Sequence, residues 1–266
     1  MNDRGRNCQS RGERGEEIPQ SEYVEDYYEV QRRRYLDRDT WARGRISDVL
    51  SVLQPSPGER ILDVGCGIGM ISLECRKRGS DVTAIDYSEV AVRMARALER
   101  EVLGGSEIEY RCMDAGSLMS LSGLYDKAVA ADSIEHISKR LFETFLREVR
   151  LRLKDEGVLV LYTPNGPVVQ PNLIQKVVRL VGLLPYFRLR DAKDIHPAAP
   201  EDALDEKYEY LHVDIKTGRY LKRTLAKYEF RVEKIVCSRG FSRLLRLPYP
   251  FNVLWGGHLC VTARKI

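Results

Sequence analysis

The chain has 266 residues, with 43 Lys and Arg against 39 Asp and Glu, a formal charge of +4 and 43% hydrophobic residues. That balance is ordinary for a folded domain and excludes collagen-like, coiled-coil, disulfide-scaffold and wholly disordered chains. No apolar run reaches the roughly 18 residues of a spanning helix, and MNDRGRNCQSRGERGEE lacks the apolar stretch of a secretory signal.

Residues 1–20 are rich in Arg, Glu and Gly without periodicity and are expected to be a disordered tail. From Tyr23 to Leu53 apolar residues recur at three- and four-residue steps, which predicts a helical N-terminal lid over 21–56, broken by Gln-Pro-Ser-Pro-Gly at 54–58. Strand and helix then alternate through a domain spanning 57–266. Strands are predicted at Arg60–Val64, Asp81–Ile85, Ile108–Cys112, Lys127–Ala131 and Val158–Tyr162. Helices are predicted at Met70–Arg78, from Ser88 to about Leu103 and from about Ser138 to Leu153. A helix over Thr217–Tyr228 and strands at Arg231–Cys237 and His258–Arg264 follow. This order predicts an α/β fold, a doubly wound parallel sheet with helices on both faces.

Six cysteines (Cys8, Cys66, Cys75, Cys112, Cys237 and Cys260) form no CxxC pair, so they read as buried thiols in a reducing, cytoplasmic compartment. The small net charge hides segregation. Lys216–Ile266 holds twelve Lys and Arg against two acids, and 167–190 holds four cations and no acid. Asp191–Asp214 holds eight acids and two lysines. Such blocks suit either solvated faces or an anionic partner.

The most informative segment is Ile61-Leu62-Asp63-Val64-Gly65-Cys66-Gly67-Ile68-Gly69-Met70: a strand, an acid and Gly-x-Gly-x-Gly before a helix. Glycines there permit positive φ and let a ligand approach the backbone. Asp86 closes the second strand twenty-one residues after Gly65, where a carboxylate can accept both hydroxyls of a ribose. A dinucleotide fingerprint needs Gly-x-Gly-x-x-Gly, and position 70 is Met70.

Leu62–Gly69 resembles motif I of class I S-adenosylmethionine-dependent methyltransferases, Asp86 resembles the acid closing their motif II, and Cys112-Met113-Asp114-Ala115 resembles motif III. The resemblance covers about residues 58–165. It implies a Rossmann-like seven-stranded sheet whose last strand is antiparallel. It also implies that the Gly65, Cys66, Gly67 and Gly69 backbone lies against the methionine part of S-adenosyl-L-methionine. Asp86 would bind its ribose, with Tyr87 beside the adenine; Asp114 and Ala115 would contact the adenine, and Asp63 would orient the loop and reach the amine.

Catalytic groups are expected beyond the fourth strand, in Ala131-Asp132-Ser133-Ile134-Glu135-His136-Ile137. Asp132, Glu135 and His136 project from one short turn, and acids with an imidazole at this spacing can ligate a divalent metal. The turn resembles the Glu-x-x-Glu-His of ubiquinone-biosynthesis O-methyltransferases (the UbiG/Coq3-like, methyltransferase type 11 group) and of small-RNA 2′-O-methyltransferases, with Asp132 in place of the first Glu. That resemblance implies a Mg2+ site of Asp132, Glu135, His136 and a later histidine, for which His212 stands in a comparable place. It also makes Asp132, Glu135 and His136 catalytic candidates and puts Asp132 beside the cofactor. The alternative reading is that Glu135 and His136 cap the Ser138 helix, with His136 as a direct base left open.

About fifty residues separate Thr163-Pro164-Asn165-Gly166 from the Thr217 helix, too many for a simple loop, and a cap insertion over about 166–214 is expected. Within it Leu173, Ile174, Val177, Val178, Val181 and Leu184 recur at helical spacing beside Lys176 and Arg179, and Arg243–Trp255 mixes aromatics with arginines. Both suit either core packing or a peripheral contact with an anionic membrane on its inner face. The expected activity is methyl transfer to the hydroxyl of a hydrophobic or lipid-like acceptor. A small soluble metabolite, an RNA 2′-hydroxyl or a non-catalytic binding module stay open as alternatives, and DNA is not expected as a partner.

Overall fold

Among the described residues two helices precede the first strand, α1 (Glu25–Leu36) and α2 (Thr40–Leu53). The sequence pattern is helical throughout this stretch, yet the chain breaks at Arg38, which adopts a left-handed φ of 51°. Asp39 then caps α2 by accepting the Ala42 N–H at 2.6 Å. The computed structural model describes residues 24–105, 107–165, 214–238 and 258–266. The expected tail (1–20), nearly all of the cap (166–214) and the basic stretch Arg243–Trp255 lie outside the described residues.

Seven strands form one sheet: β1 (Arg60–Val64), β2 (Asp81–Asp86), β3 (Glu109–Cys112), β4 (Tyr125–Ala131), β5 (Leu153–Pro164), β6 (Phe230–Ser238) and β7 (His258–Lys265). Their spatial order is β3-β2-β1-β4-β5-β7-β6. The first five strands run parallel, and β7 is antiparallel to both β5 and β6. The expected seven-stranded sheet with an antiparallel last strand is the one observed.

Alternate strand residues separate into two cores. Val129 and Ala131 of β4 join α1, α2 and the helices α3 (Met70–Arg76) and α4 (Glu89–Leu103) on one face. Ala128 and Ala130 join α5 (Lys139–Arg152) and α6 (Gly218–Lys227) on the other. Burial on both faces explains why β4 and β5 read as near-continuous apolar runs. Ser88 caps α4 by accepting the Ala91 N–H at 3.2 Å, and Gly104 ends it at a φ of 72°. On α5, Phe142, Phe145, Leu146 and Val149 are fully buried; truncating such a side chain to Ala costs about 2–5 kcal/mol.

The fifth strand starts earlier than its sequence suggests. The predicted strand starts at Val158, but β5 begins at Leu153 paired with Tyr125, and the register shifts before Lys127 meets Val158. Glu156 takes a φ of 61° within this irregular stretch.

Strand order reverses between β1 and β4, so a crevice opens at the carboxyl ends of these strands. Packing of α2 on β4, β5 and β7 closes one side of that end. No helix among the described residues is long and apolar enough to cross a membrane.

Candidate active site

The loop leaving β1 needs its glycines. Gly65, Gly67 and Gly69 have φ values of 71°, 54° and 79°, a region that L side chains resist. A Cβ on Gly65 would run into the Ser133 side chain, and one on Gly69 would lie 2.6 Å from the Tyr110 hydroxyl. The backbone N–H groups of Gly65 and Cys66 donate to the Ile85 carbonyl at 2.8 and 2.9 Å. Gly67 donates to Asp86 Oδ2 at 2.8 Å, and Ser88 N–H donates to Asp86 Oδ1 at 2.8 Å. Loop and acid are thus one hydrogen-bonded unit at the carboxyl ends of β1 and β2.

Burial pushes the Asp86 carboxyl above its ordinary range, against the pull of the Ser88 and Gly67 N–H groups. Asp63 is buried at 2% exposure and accepts from Ser72 Oγ at 2.6 Å. Burial pushes its carboxyl up to about 6, opposed by the Ser72 hydrogen bond and the Arg45 charge. The Cys66 thiol is raised well above its usual range by burial, which makes it a poor nucleophile.

The third strand delivers the adjoining edge. Met113 N–H donates to the Asp86 carbonyl at 2.9 Å, and Asp114 Oδ1 accepts the Gly116 N–H at 2.6 Å. Tyr87 is 42% exposed beside this edge, while Asp114 and Ala115 are half-buried. The expected glycine, Asp86, Tyr87 and Asp114 set therefore converges on one end of the sheet. A bare glycine backbone beside the Asp86 and Asp114 carboxylates fits a nucleoside carrying a small zwitterionic arm.

The fourth strand ends in the acid turn. Asp132 has a φ of 51°, an uncommon conformation outside glycine. Its Oδ2 accepts from Arg45 Nε at 2.5 Å, and an Arg45 amino group donates to the Ala131 carbonyl at 2.9 Å. Burial pulls the Arg45 guanidinium down, but Asp132 more than offsets it, leaving the group firmly charged. The Arg45 guanidinium also lies over the Trp41 ring at 5.7 Å. On the other side of Asp132, His258 Nε2 is 3.8 Å from Oδ1.

Glu135 is 1% exposed and Thr163 Oγ1 donates to its Oε2 at 3.0 Å. The turn around it is pinned by the segment returning to the sheet: Asp214 N–H donates to the Glu135 carbonyl at 3.0 Å, and Lys216 Nζ donates to the Ile134 carbonyl at 2.5 Å. His136 is half-buried, with its N–H donating to the Ser133 carbonyl at 3.1 Å. Ser138, not Glu135 or His136, caps α5 by accepting the Leu141 N–H at 3.2 Å.

The expected metal set is not assembled. Asp132 is turned to Arg45 and Glu135 to Thr163, and no three His, Cys, Asp or Glu side chains gather to hold a metal among the described residues. An arginine at hydrogen-bond distance already neutralises Asp132, so these side chains do not fit a divalent cation. His212 lies outside the described residues. Arg45 and His258, which flank Asp132, were not among the expected residues, because each comes from an element remote in sequence; Ser133, which fills the space beside Gly65, and Thr163, which holds Glu135, lie in segments the sequence singled out but were given no role.

Comparison with known proteins identifies the family. A family model described as a methyltransferase domain matches residues 35–235, and the chain belongs to that family. The chain is 35% identical over 112 residues to a ubiquinone biosynthesis O-methyltransferase of Xanthomonas campestris pv. campestris (strain B100), a match covering 41% of this chain and 44% of the relative. A ubiquinone biosynthesis O-methyltransferase of Alkalilimnicola ehrlichii is 38% identical over 96 residues, 35% of this chain and 37% of that one. The chain thus spans less than half the length of these relatives. The magnesium protoporphyrin IX methyltransferase of Synechocystis PCC 6803, solved with bound S-adenosylmethionine, shares the fold at a TM-score of 0.57 and 15% identity, over 94% of this chain and 98% of that one.

Proposed function

We propose that this chain, as a member of the methyltransferase-domain family, moves a methyl group from S-adenosyl-L-methionine to the hydroxyl oxygen of a hydrophobic acceptor. The observation that carries the reading is the unit of Gly65, Gly67 and Asp86 at the carboxyl end of the sheet, one strand away from the Asp132 turn. When bound, the cofactor supplies an electrophilic methyl on a sulfonium, so the protein's work is alignment and proton removal.

The glycine-loop backbone is assigned to the methionine arm and Asp86 to the ribose hydroxyls, each carboxylate oxygen keeping a lone pair beside its backbone donor. Tyr87, Asp114 and Ala115 are assigned to the adenine. Asp63 is assigned to loop geometry through Ser72, and Arg45 supplies the positive charge beside which a carboxylate can settle. Asp132 and His136 line the acceptor side of the turn, while Glu135 holds it through Thr163. The oxygen acceptor is supported by the relatives named ubiquinone biosynthesis O-methyltransferase. A hydrophobic acceptor also gives the basic, apolar sequences within 166–190 and 243–255 a use, in peripheral contact with an anionic membrane surface.

Two measurements test this reading. Calorimetry should show S-adenosylhomocysteine binding to the wild type and a loss of at least tenfold in Asp86→Ala. Incubation with S-adenosyl-[methyl-3H]methionine and a bacterial total-lipid extract should label an organic-soluble product that mass spectrometry identifies as a methyl ether. Cofactor binding unaltered by Asp86→Ala, or label confined to RNA or water-soluble metabolites, overturns the corresponding half.

A further inference from the structure

Asp132 carries an unspent oxygen. Its Oδ2 is occupied by Arg45, but Oδ1 is buried and makes no hydrogen bond. A buried carboxylate oxygen left without a donor is costly unless a ligand or a moving proton completes it. The titratable group facing Oδ1 is His258, with Nε2 at 3.8 Å. This imidazole opens β7 opposite Pro164 of β5, so it stands at the same carboxyl end of the sheet as Asp132. Its ring is stacked on the buried Tyr162 ring, centroids 4.9 Å apart and planes 11° from parallel. Stacking fixes the ring plane, and the backbone of Asp132 is fixed through its N–H to the Tyr162 carbonyl at 2.8 Å. Tyr162 therefore holds both partners. The two side chains remain partly open, at 23% and 25% exposure.

We propose that His258 is the proton acceptor for the acceptor hydroxyl, with Asp132 as the carboxylate that steadies the imidazolium formed; the assignment rests on the methyl-transfer reading above. A gap of 3.8 Å is too long for a direct hydrogen bond, so the acceptor hydroxyl is assigned to His258 Nε2 alone, with the buried Asp132 Oδ1 behind it as the counter-charge. As the new oxygen–carbon bond forms, the carbon–sulfur bond breaks and its electron pair returns to sulfur. The hydroxyl proton passes to His258 Nε2 and later leaves to solvent. Arg45 holds the Asp132 carboxylate in place through Oδ2, leaving Oδ1 turned toward the imidazole before the reaction.

The test uses the full chain with S-adenosyl-[methyl-3H]methionine and a bacterial total-lipid extract. His258→Gln should lower kcat by about 100-fold or more, the range of a lost general base, while calorimetric affinity for S-adenosylhomocysteine stays within twofold. His258→Ala should behave likewise and recover turnover in proportion to added 4-methylimidazole, which a packing role on Tyr162 would not produce. Wild-type turnover in His258→Gln, or loss in His258→Ala that no imidazole restores, overturns the proposal. A wild type that binds S-adenosylhomocysteine yet labels nothing overturns the methyl-transfer reading itself, and His258 loses its role with it.

Discussion

Ser72 on α3 donates a 2.6 Å hydrogen bond to Asp63 at the end of β1, tying the helix that follows the glycine loop back to the strand that precedes it. The acid pays for this position in desolvation, and its carboxyl stands at about 6 rather than 3.8.

Asp63 therefore makes stability depend on pH in a defined direction. An acid whose folded value lies above its unfolded value favours the fold while it is protonated. Its contribution is fully present below pH 3.8 and is lost as pH rises through about 6. The lost contribution is about 3 kcal/mol. Asp63→Asn should be insensitive in this window, so its melting temperature relative to wild type should climb between pH 4 and 6.5 and then level off. A constant difference across that range would show that Asp63 does not titrate there.

Gly65→Ala meets two separate obstacles, a φ of 71° and the Ser133 side chain. It should destabilise the protein by about 1–3 kcal/mol and abolish detectable S-adenosylhomocysteine binding. Adding Ser133→Gly removes the collision and leaves the φ cost. The double variant should regain part of the stability, as read by urea unfolding. Equal stability of single and double variants would mean that the collision is relieved in some other way.

Arg45→Met strands Asp132 without its charge partner. The pair is only partly shielded, at 11% and 23% exposure, so the expected cost is about 2 kcal/mol, below the 3–5 kcal/mol of a fully buried pair. Arg45→Met combined with Asp132→Asn should lie closer to wild type than Arg45→Met alone, since asparagine tolerates the left-handed backbone and carries no charge. Urea midpoints of the four proteins give the coupling energy directly.

Lys216 is fully buried, with Nζ donating to the carbonyls of Ile134 and Asp214 and lying 4.8 Å from the Phe142 ring centroid. It acts on the acid turn from outside it. Lys216→Met fills the same apolar channel but releases the turn, so kcat should fall by about tenfold through misplacement while S-adenosylhomocysteine affinity is retained. Unchanged kcat would assign Lys216 to stability alone.

The assigned cofactor side was open to proposal from sequence because its parts are local. A strand, its terminal acid and a glycine loop sit within ten residues, and Asp86 ends the very next strand. The acceptor side was not, because its members meet only after folding. Arg45 reaches Asp132 from a helix before the first strand, and His258 arrives from the last strand, between which no spacing rule operates. The Asp132, Glu135 and His136 spacing suggested a cation because residues on one turn are near one another. Side-chain direction decided otherwise, sending Asp132 toward Arg45 and Glu135 toward Thr163. Polar residues 154–157 hid the start of β5 for a similar reason, since an irregular strand end looks like a turn until its partner, Tyr125, is known.

Because β7 lies between β5 and β6, the sheet cannot be assembled in the order in which the chain is made. As translation proceeds, β6 emerges with no neighbour to pair with and must wait for a strand some twenty residues further on. His258 is the first residue of that late strand. The proposed proton acceptor thus joins the site only at the step that also seals the sheet.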